Sequence, residues 1–491
     1  MSWLLVLPIA LPLAAAAATV LARGRRPAQR VLSVGCALVV LACAVALVWA
    51  TRDGEVLAAG MGGWPARFRI TLVADPFAAL MLTVSALMVT VCALFAAARD
   101  EDEQPYFHPL VQVLFAGACG AYLTADIFDL FVFIEVALIA SYVLLTLGGS
   151  LRQLRAGAVY VTTNLLASTA FLAGVALLYG TAGTVNFAEL AGRARTSGEV
   201  AVAGTFILAA LAVKGGLVPV HGWLPRSYPA ASPAVTALFS GLLTKMGVYA
   251  MFRVYSTVFQ GETTLRTPLL VVASLTMLLG VLGAVGRERM RDILSFHMVS
   301  QVGYLVMALG ISGVAGLSAG IFFMLQYIVV KTSLFLCSGA VETFEGTGAL
   351  GELGAVARRR PVLAAAFGVS ALSLAGVPPL SGFFAKLALL QAALGADDYA
   401  AAGVAVGVSF LTLFSMVKIW NGVFWGDPPA ERRRPAAAPT RGRAVAIVAP
   451  AVALAVVGIA VGLGAELLWR LSEQAAGLLV DPAAYIEAVL R

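Results

Sequence analysis

The chain has 491 residues, 60% of them hydrophobic and only 12% charged, with a mean hydropathy of +0.93, which excludes an ordinary soluble domain and specifies a polytopic membrane protein. The formal charge of +7 would point to nucleic acid in a soluble chain, but here the arginines fall in short loops between apolar runs and report topology instead. Five scattered cysteines without C-x-x-C spacing, no paired histidines and no G-x-G-x-x-G opening a soluble helix leave no place for an iron–sulfur, haem, flavin or nucleotide cofactor, so no cofactor and no catalytic site are expected.

Apolar runs of about 20 residues, the length that a bilayer core requires, occur at 3–21, 31–50, 76–97, 109–125, 127–147, 156–179, 203–224, 232–254, 268–285, 293–311, 317–341, 362–394, 401–425 and 444–469, fourteen in all. The first resembles a signal peptide in its small residues but carries its positive charges after the apolar core, so it is expected to be a retained helix with its N-terminus outside. That orientation collects nineteen arginines in cytoplasmic loops, from Arg23, Arg25 and Arg26 to Arg432, Arg433, Arg434, Arg441 and Arg443, against nine on the other side. The asymmetry and the even number of spans place both termini outside the cytoplasm.

All five lysines, Lys214, Lys245, Lys331, Lys386 and Lys418, lie inside apolar stretches, whereas the loop cations are arginine. Arginine keeps its proton at any relevant pH, while a lysine in low dielectric can release it, so these sites need a titratable cation. In chain order the first ionisable group well inside a span is Glu135, eight residues into the fifth; it must be paired or protonated, and the buried lysines are its partners. Asp126 and Asp129 have a spacing that suits a metal, but their place at the start of that span favours helix capping. Tyr160, Thr163, Asn164 and Ser168 on the sixth span are either wetting groups or interhelical hydrogen bonds. Lys214 lies roughly 15 Å along its helix, near the bilayer midplane. Gly215, Gly216 and Pro219 follow it, so helix 7 is expected to break there. His221, beyond the break, is a weaker candidate. Lys245 sits on a small-residue face with Gly241, Thr244 and Gly247. His297 opens a helical stripe with Ser300, Gln301 and Tyr304, suited either to a hydrated proton wire or to a satisfied core histidine. Lys331 lies midway along its span, after Gln326 and Tyr327. The run 362–394 is too long for one span and carries Gly376, Pro378 and Pro379 before Lys386, so helix 12 should break as helix 7 does. Lys418 is close enough to Trp425 to snorkel to the interface.

Two proline-broken spans five helices apart, each with a lysine, are the weak symmetry of inverted repeats, because an odd offset reverses the second copy. The expected organisation is an N-terminal three-helix segment over 1–108, five-helix repeats over 109–256 and 266–425, and a C-terminal helix and tail over 426–491.

The segments GAYLTADIFDLFVFIEVALIASY, VKGGLVPVHGWLPRSYPAASPAVTALFSGLLTKMGVYAMFR, DILSFHMVSQVGYLVMALG, VVKTSLFLCSGAV and GVPPLSGFFAK resemble the antiporter-like subunits shared by Mrp-type cation/proton antiporters and respiratory complex I, and most of all the Mrp D subunit. The resemblance covers nearly the whole chain. It implies an all-α polytopic fold of fourteen helices, two inverted five-helix repeats and broken helices 7 and 12. The family's glutamate of helix 5 matches Glu135, its lysines of helices 7 and 8 match Lys214 and Lys245, and its helix 12 lysine or glutamate matches Lys386; the family's histidines and lysines of helices 10 and 11 match His297 and Lys331 less closely. Only 22 residues follow Trp469 in the sequence, so the long lateral helix of the largest complex I member of this type is not expected here. The implied function is proton translocation in a multisubunit Na+ or K+/proton antiporter of a prokaryotic cell membrane, among other membrane subunits, with no enzymatic activity of its own. A proton-pumping subunit of complex I or of a related membrane hydrogenase would use the same residues. A membrane-embedded enzyme built on Asp126, Asp129 and His221 is the rival of another class.

Overall fold

Pro233, Pro361 and the capping side chains of Asp75, Asp126, Ser150 and Ser197 start helices in this chain, and Gly183, Gly216, Gly346 and Gly376, all at positive φ, end four of them. In the computed structural model, which describes residues 3–63, 69–260, 263–427 and 439–491, the spanning helices are α1 (Trp3–Leu21), α2 (Arg26–Thr51), α3 (Pro76–Arg99), α4 (Phe107–Leu123), α5 (Ile127–Thr146), α6 (Leu151–Ala182), α7a (Gly198–Gly215) with α7b (Trp223–Ser227), α8 (Pro233–Val254), α9 (Arg266–Val285), α10 (Met290–Ile311), α11 (Gly313–Glu345), α12a (Pro361–Ala375) with α12b (Ser381–Gly395), α13 (Tyr399–Ile419) and α14 (Arg441–Leu463). Among the described residues, twelve helices are long and apolar enough to cross a membrane. The 17-residue α4 and the pair α12a/α12b supply two more crossings, which makes fourteen. Arg432, Arg433 and Arg434 of the topology argument lie outside the described residues.

Three features differ from expectation. The run 444–469 is not one helix: α14 ends at Leu463, and after Gly464 an amphipathic helix α15 (Ala465–Val480) begins, followed by α16 (Ala483–Leu490). Glu466 and Arg470, exposed and paired at 2.7 Å, are the groups that keep α15 from continuing the span. Between α2 and α3 lies a two-stranded antiparallel hairpin, β1 (Leu57–Gly60) and β2 (Thr71–Ala74), with Leu57 opposite Ala74. Third, α8 and α13 both run into a π-helical turn, Tyr255–Phe259 and Trp420–Trp425.

The core surrounds α3, α8, α10 and α11, whose most apolar stretches are at least 83% buried, and α4, nearly all of whose residues are buried; the other spans keep one face for lipid. Side-chain contacts define two ends. One is rich in arginine, with Arg30 on Asp102 at 2.6 Å, Arg291 on Glu342 at 2.8 Å and Arg359 on Glu345 at 3.0 Å. At the other end α16 packs against β1, and Arg69 donates to the Val489 carbonyl at 2.8 Å. There Asp75 caps α3 through the Ala78 N–H and pairs with Arg253, which Tyr249 and the ring of Tyr485 enclose.

Candidate functional site

Two broken helices position the site, and both break in the same way. Gly216 ends α7a in the left-handed region at φ +78° and returns its N–H to the carbonyls of Ala212 and Val213; Gly376 ends α12a at φ +92° and returns its own to Leu372 and Ser373. Only glycine enters that region without strain. Three residues on stand Pro219 and Pro379, each after a cis peptide bond. Carbonyls freed at such a break need partners away from water. The Trp223 indole donates to Val213 O at 2.9 Å, and Lys386 Nζ donates to Ala375 O at 3.0 Å. Gly382 lets α12b approach α12a so closely that a Cβ there would lie 1.7 Å from the Ser373 carbonyl oxygen.

The end of α7a brings Lys214 to Glu135 of α5 and Ser168 of α6. Lys214 Nζ lies 3.0 Å from Glu135 Oε1 and 2.7 Å from Ser168 Oγ, and the Ser168 hydroxyl donates to the same carboxylate oxygen. Lys214 is 4% exposed and the Glu135 side chain 19%. The expected pairing of Glu135 with a buried lysine is therefore present, and Ser168 completes a three-group cluster.

A second group lies in the core. Lys245 is fully buried on α8, where its ammonium donates to Ser240 O at 2.7 Å and Thr244 Oγ1 at 3.0 Å and stands 4.4 Å over the ring of Tyr327 from α11. From there aromatic rings run across the core: Tyr327 to Phe323 at 6.0 Å, Phe323 stacked on Tyr304 of α10 at 5.4 Å, and Lys386 5.2 Å over Tyr304. Cation–π seats thus mark both ends of one aromatic ladder. Lys331 Nζ is buried with no hydrogen-bond partner among the described residues, as are Tyr327 Oη, Thr332 Oγ1, Ser338 Oγ and the Gln301 amide. His297 Nε2 is 2.5 Å from Ser415 Oγ on α13, its Nδ1 has no partner, and it lies within electrostatic reach of Lys331 and Lys386.

Other sequence candidates separate from this group. Ser300 donates to Met277 O at 3.0 Å, so that member of the α10 stripe binds a neighbouring helix, whereas Tyr304 stays in the ladder while its hydroxyl donates to Ala405 O at 2.6 Å. Asp126 accepts from the N–H groups of Phe128 and Asp129, which is capping, and no cluster suited to a metal occurs among the described residues. His221 lies in the link between α7a and α7b, and its Nδ1 has no partner there. Lys418 reaches the end of α9, donating to Val285 O, Arg287 O and Glu288 at 3.1, 2.8 and 2.6 Å. Arg253 corrects the assignment of arginine to loops: it is buried on α8 and paired with Asp75 across 178 positions. Its place in an apolar run was the available signal. Ser415 and Phe323 gave none.

The family model described as NADH:quinone oxidoreductase/Mrp antiporter, TM, matches residues 124–412, which include every lysine up to Lys386. Over the full length of both chains, the sequence is 41% identical to a protein of Alkalihalophilus pseudofirmus named as the D subunit of a Na(+)/H(+) antiporter. Among solved structures, a chain of the Mrp complex from a Dietzia species superposes with a TM-score of 0.95 at 44% identity, all of each chain covered. A chain of the membrane-bound sulfane sulfur reductase, an archaeal respiratory membrane complex, gives 0.88 at 27% identity, with 100% of this chain and 99% of that one covered. On these matches the chain belongs to the NADH:quinone oxidoreductase/Mrp antiporter transmembrane family.

Proposed function

We propose that the chain is the proton-translocating subunit of a multisubunit Na+ or K+/proton antiporter in the cell membrane, working among other membrane subunits and without enzymatic activity of its own. The observation that carries this reading is the Glu135–Ser168–Lys214 cluster at the break of α7. An ammonium and a carboxylate held on one hydroxyl beside a broken helix form a pair that can open. When it opens, the ammonium loses its counter-charge in low dielectric and passes its proton on. Lys245, Lys331, His297 and Lys386 continue the path, and the unpartnered polar atoms around Lys331 are sites that water satisfies. Gly215, Pro219, Pro378 and Pro379 hold the breaks that give water access. The matching breaks and the π-helical turns that close α8 and α13 support two inverted repeats at 109–256 and 266–425. A redox-driven pump would use the same groups and draws on the 27% likeness to the archaeal respiratory chain, so it ranks second.

Proton flux out of everted vesicles that carry the whole complex and have an acidified lumen tests the reading, because each cation that enters by antiport is exchanged for protons that leave. Flux driven by added Na+ or K+ is expected in the wild type and none with Glu135→Gln in an equally assembled complex. Cation-independent flux that requires a redox substrate would transfer the chain to the second reading.

A further inference from the structure

At the arginine-rich end, a cleft of about 620 Å³ opens between α12a and α14. Its floor and walls are apolar, with Val362 and Val445 each 61% exposed and Leu363 buried beneath them. Its mouth is cationic, lined by Arg359, Arg360 and Arg441, with no acidic residue in the lining. Arg359 is partly neutralised by Glu345, to which it donates at 3.0 Å. Arg360 stands 3.9 Å over the ring of Phe344, which leaves its guanidinium edge open, and neither it nor Arg441 forms an ion pair among the described residues. Both helices also begin at this mouth, without a side-chain cap at Arg360 or Thr440, so their positive dipole ends add to the same field.

We infer that this cleft is a binding site for an anionic phospholipid, its phosphate held at Arg360 and Arg441 and its acyl chain laid along Val362, Val445 and Val448. The arrangement matches the chemistry of such a lipid. A basic mouth at headgroup depth selects the charge, and an apolar channel running into the hydrocarbon layer selects the chain. A soluble phosphate would use only the first of these, and a zwitterionic lipid would bring a headgroup cation into a mouth that already carries Arg359, Arg360 and Arg441. The site lies away from the lysine path and does not depend on what that path carries.

The test uses the assembled complex in mild detergent, read by native mass spectrometry with phosphatidylglycerol or phosphatidylcholine of identical chains added. Phosphatidylglycerol is expected to stay bound and phosphatidylcholine to be lost. Each arginine removed should weaken retention about fivefold, so Arg360→Ala with Arg441→Ala weakens it roughly twenty-fivefold. The paired lysine substitutions should retain the lipid. Val445→Trp should displace it with both arginines in place, and the same spectra report whether each variant is assembled. Equal retention of the two lipids, equal retention by wild type and the double alanine variant, or full displacement of phosphatidylglycerol by inorganic phosphate would each overturn the proposal.

Discussion

Glu135 and Lys214 are opposite charges withdrawn from water, and each is tolerable only because the other is there. Removing one partner of a buried pair strands the other at a cost of about 3–5 kcal/mol. Glu135→Gln and Lys214→Ala are therefore expected to abolish cation-dependent proton flux while the complex still assembles, measured in vesicles matched for subunit content. Arginine distinguishes titration from fixed charge. At Lys214, Lys245 and Lys386 it keeps the charge but holds its proton, so Lys→Arg should stop flux at all three. Lys418→Arg should retain flux, because Val285 O, Arg287 O and Glu288 ask only for a cation on a long stem. Normal flux with Arg at Lys214 and Lys386 would make those lysines static counter-ions. Outside the spans, Asp102 gives a pH dependence. Burial alone would raise its carboxyl, but hydrogen bonds from His108 and Arg30 outweigh that and hold it well below the usual carboxylate range. A depressed carboxylate contributes its full stability above the unfolded value of 3.8 and loses it as pH falls below that toward the folded value. Asp102→Asn should therefore lower the thermal stability of the purified complex at pH 7 by about 1–3 kcal/mol, and its loss of stability below pH 4 should be shallower than in the wild type. The Glu135–Lys214 contact was legible in the sequence because a lone intramembrane acid has few partners to choose from. Ser168 was not, since one hydroxyl among seven on α6 carries no signal of which helix it faces, and the Asp75–Arg253 pair joins positions too far apart for any local pattern.

Among elements, the broken helices are the most demanding. Gly382 faces the Ser373 carbonyl oxygen at a distance no Cβ can occupy, so Gly382→Ala must drive α12b away from α12a and carry Lys386 off Ala375 O and the Tyr304 ring. Flux should fail even though the substitution removes no ionisable group, whereas Gly403→Ala, with open space around it, should transport normally; both are checked in the vesicle assay. Helix placement was legible because lipid demands long apolar runs, and both breaks were legible because glycine and proline announce them. The hairpin was not, because its strands are four residues each and most of their stability comes from what they pack on. The end of α14 at Leu463 was hidden for a different reason: α15 is apolar on one face, and composition alone does not separate a surface-lying helix from the last turns of a span.

For the whole molecule, fourteen crossings and the concentration of arginine at one end predict that residue 491 lies on the same side as residue 3, outside the cytoplasm. A reporter active only in the cytoplasm, fused after Arg491, should be silent, and one placed between Arg287 and Arg291 should be active. A strong signal from the C-terminal fusion would mean a miscounted crossing, with α12a and α12b the first place to look. The face that carries the hairpin adds a consequence for biosynthesis. Arg69 and Val489, 420 positions apart, share a hydrogen bond, and Tyr485 covers Arg253 where it meets Asp75. All fourteen crossings can be threaded into the bilayer before that face is closed. Until residue 489 has left the ribosome, the Asp75–Arg253 pair lacks its cover, so a nascent chain stalled after α14 would present to quality-control proteases a fully inserted but unsealed protein.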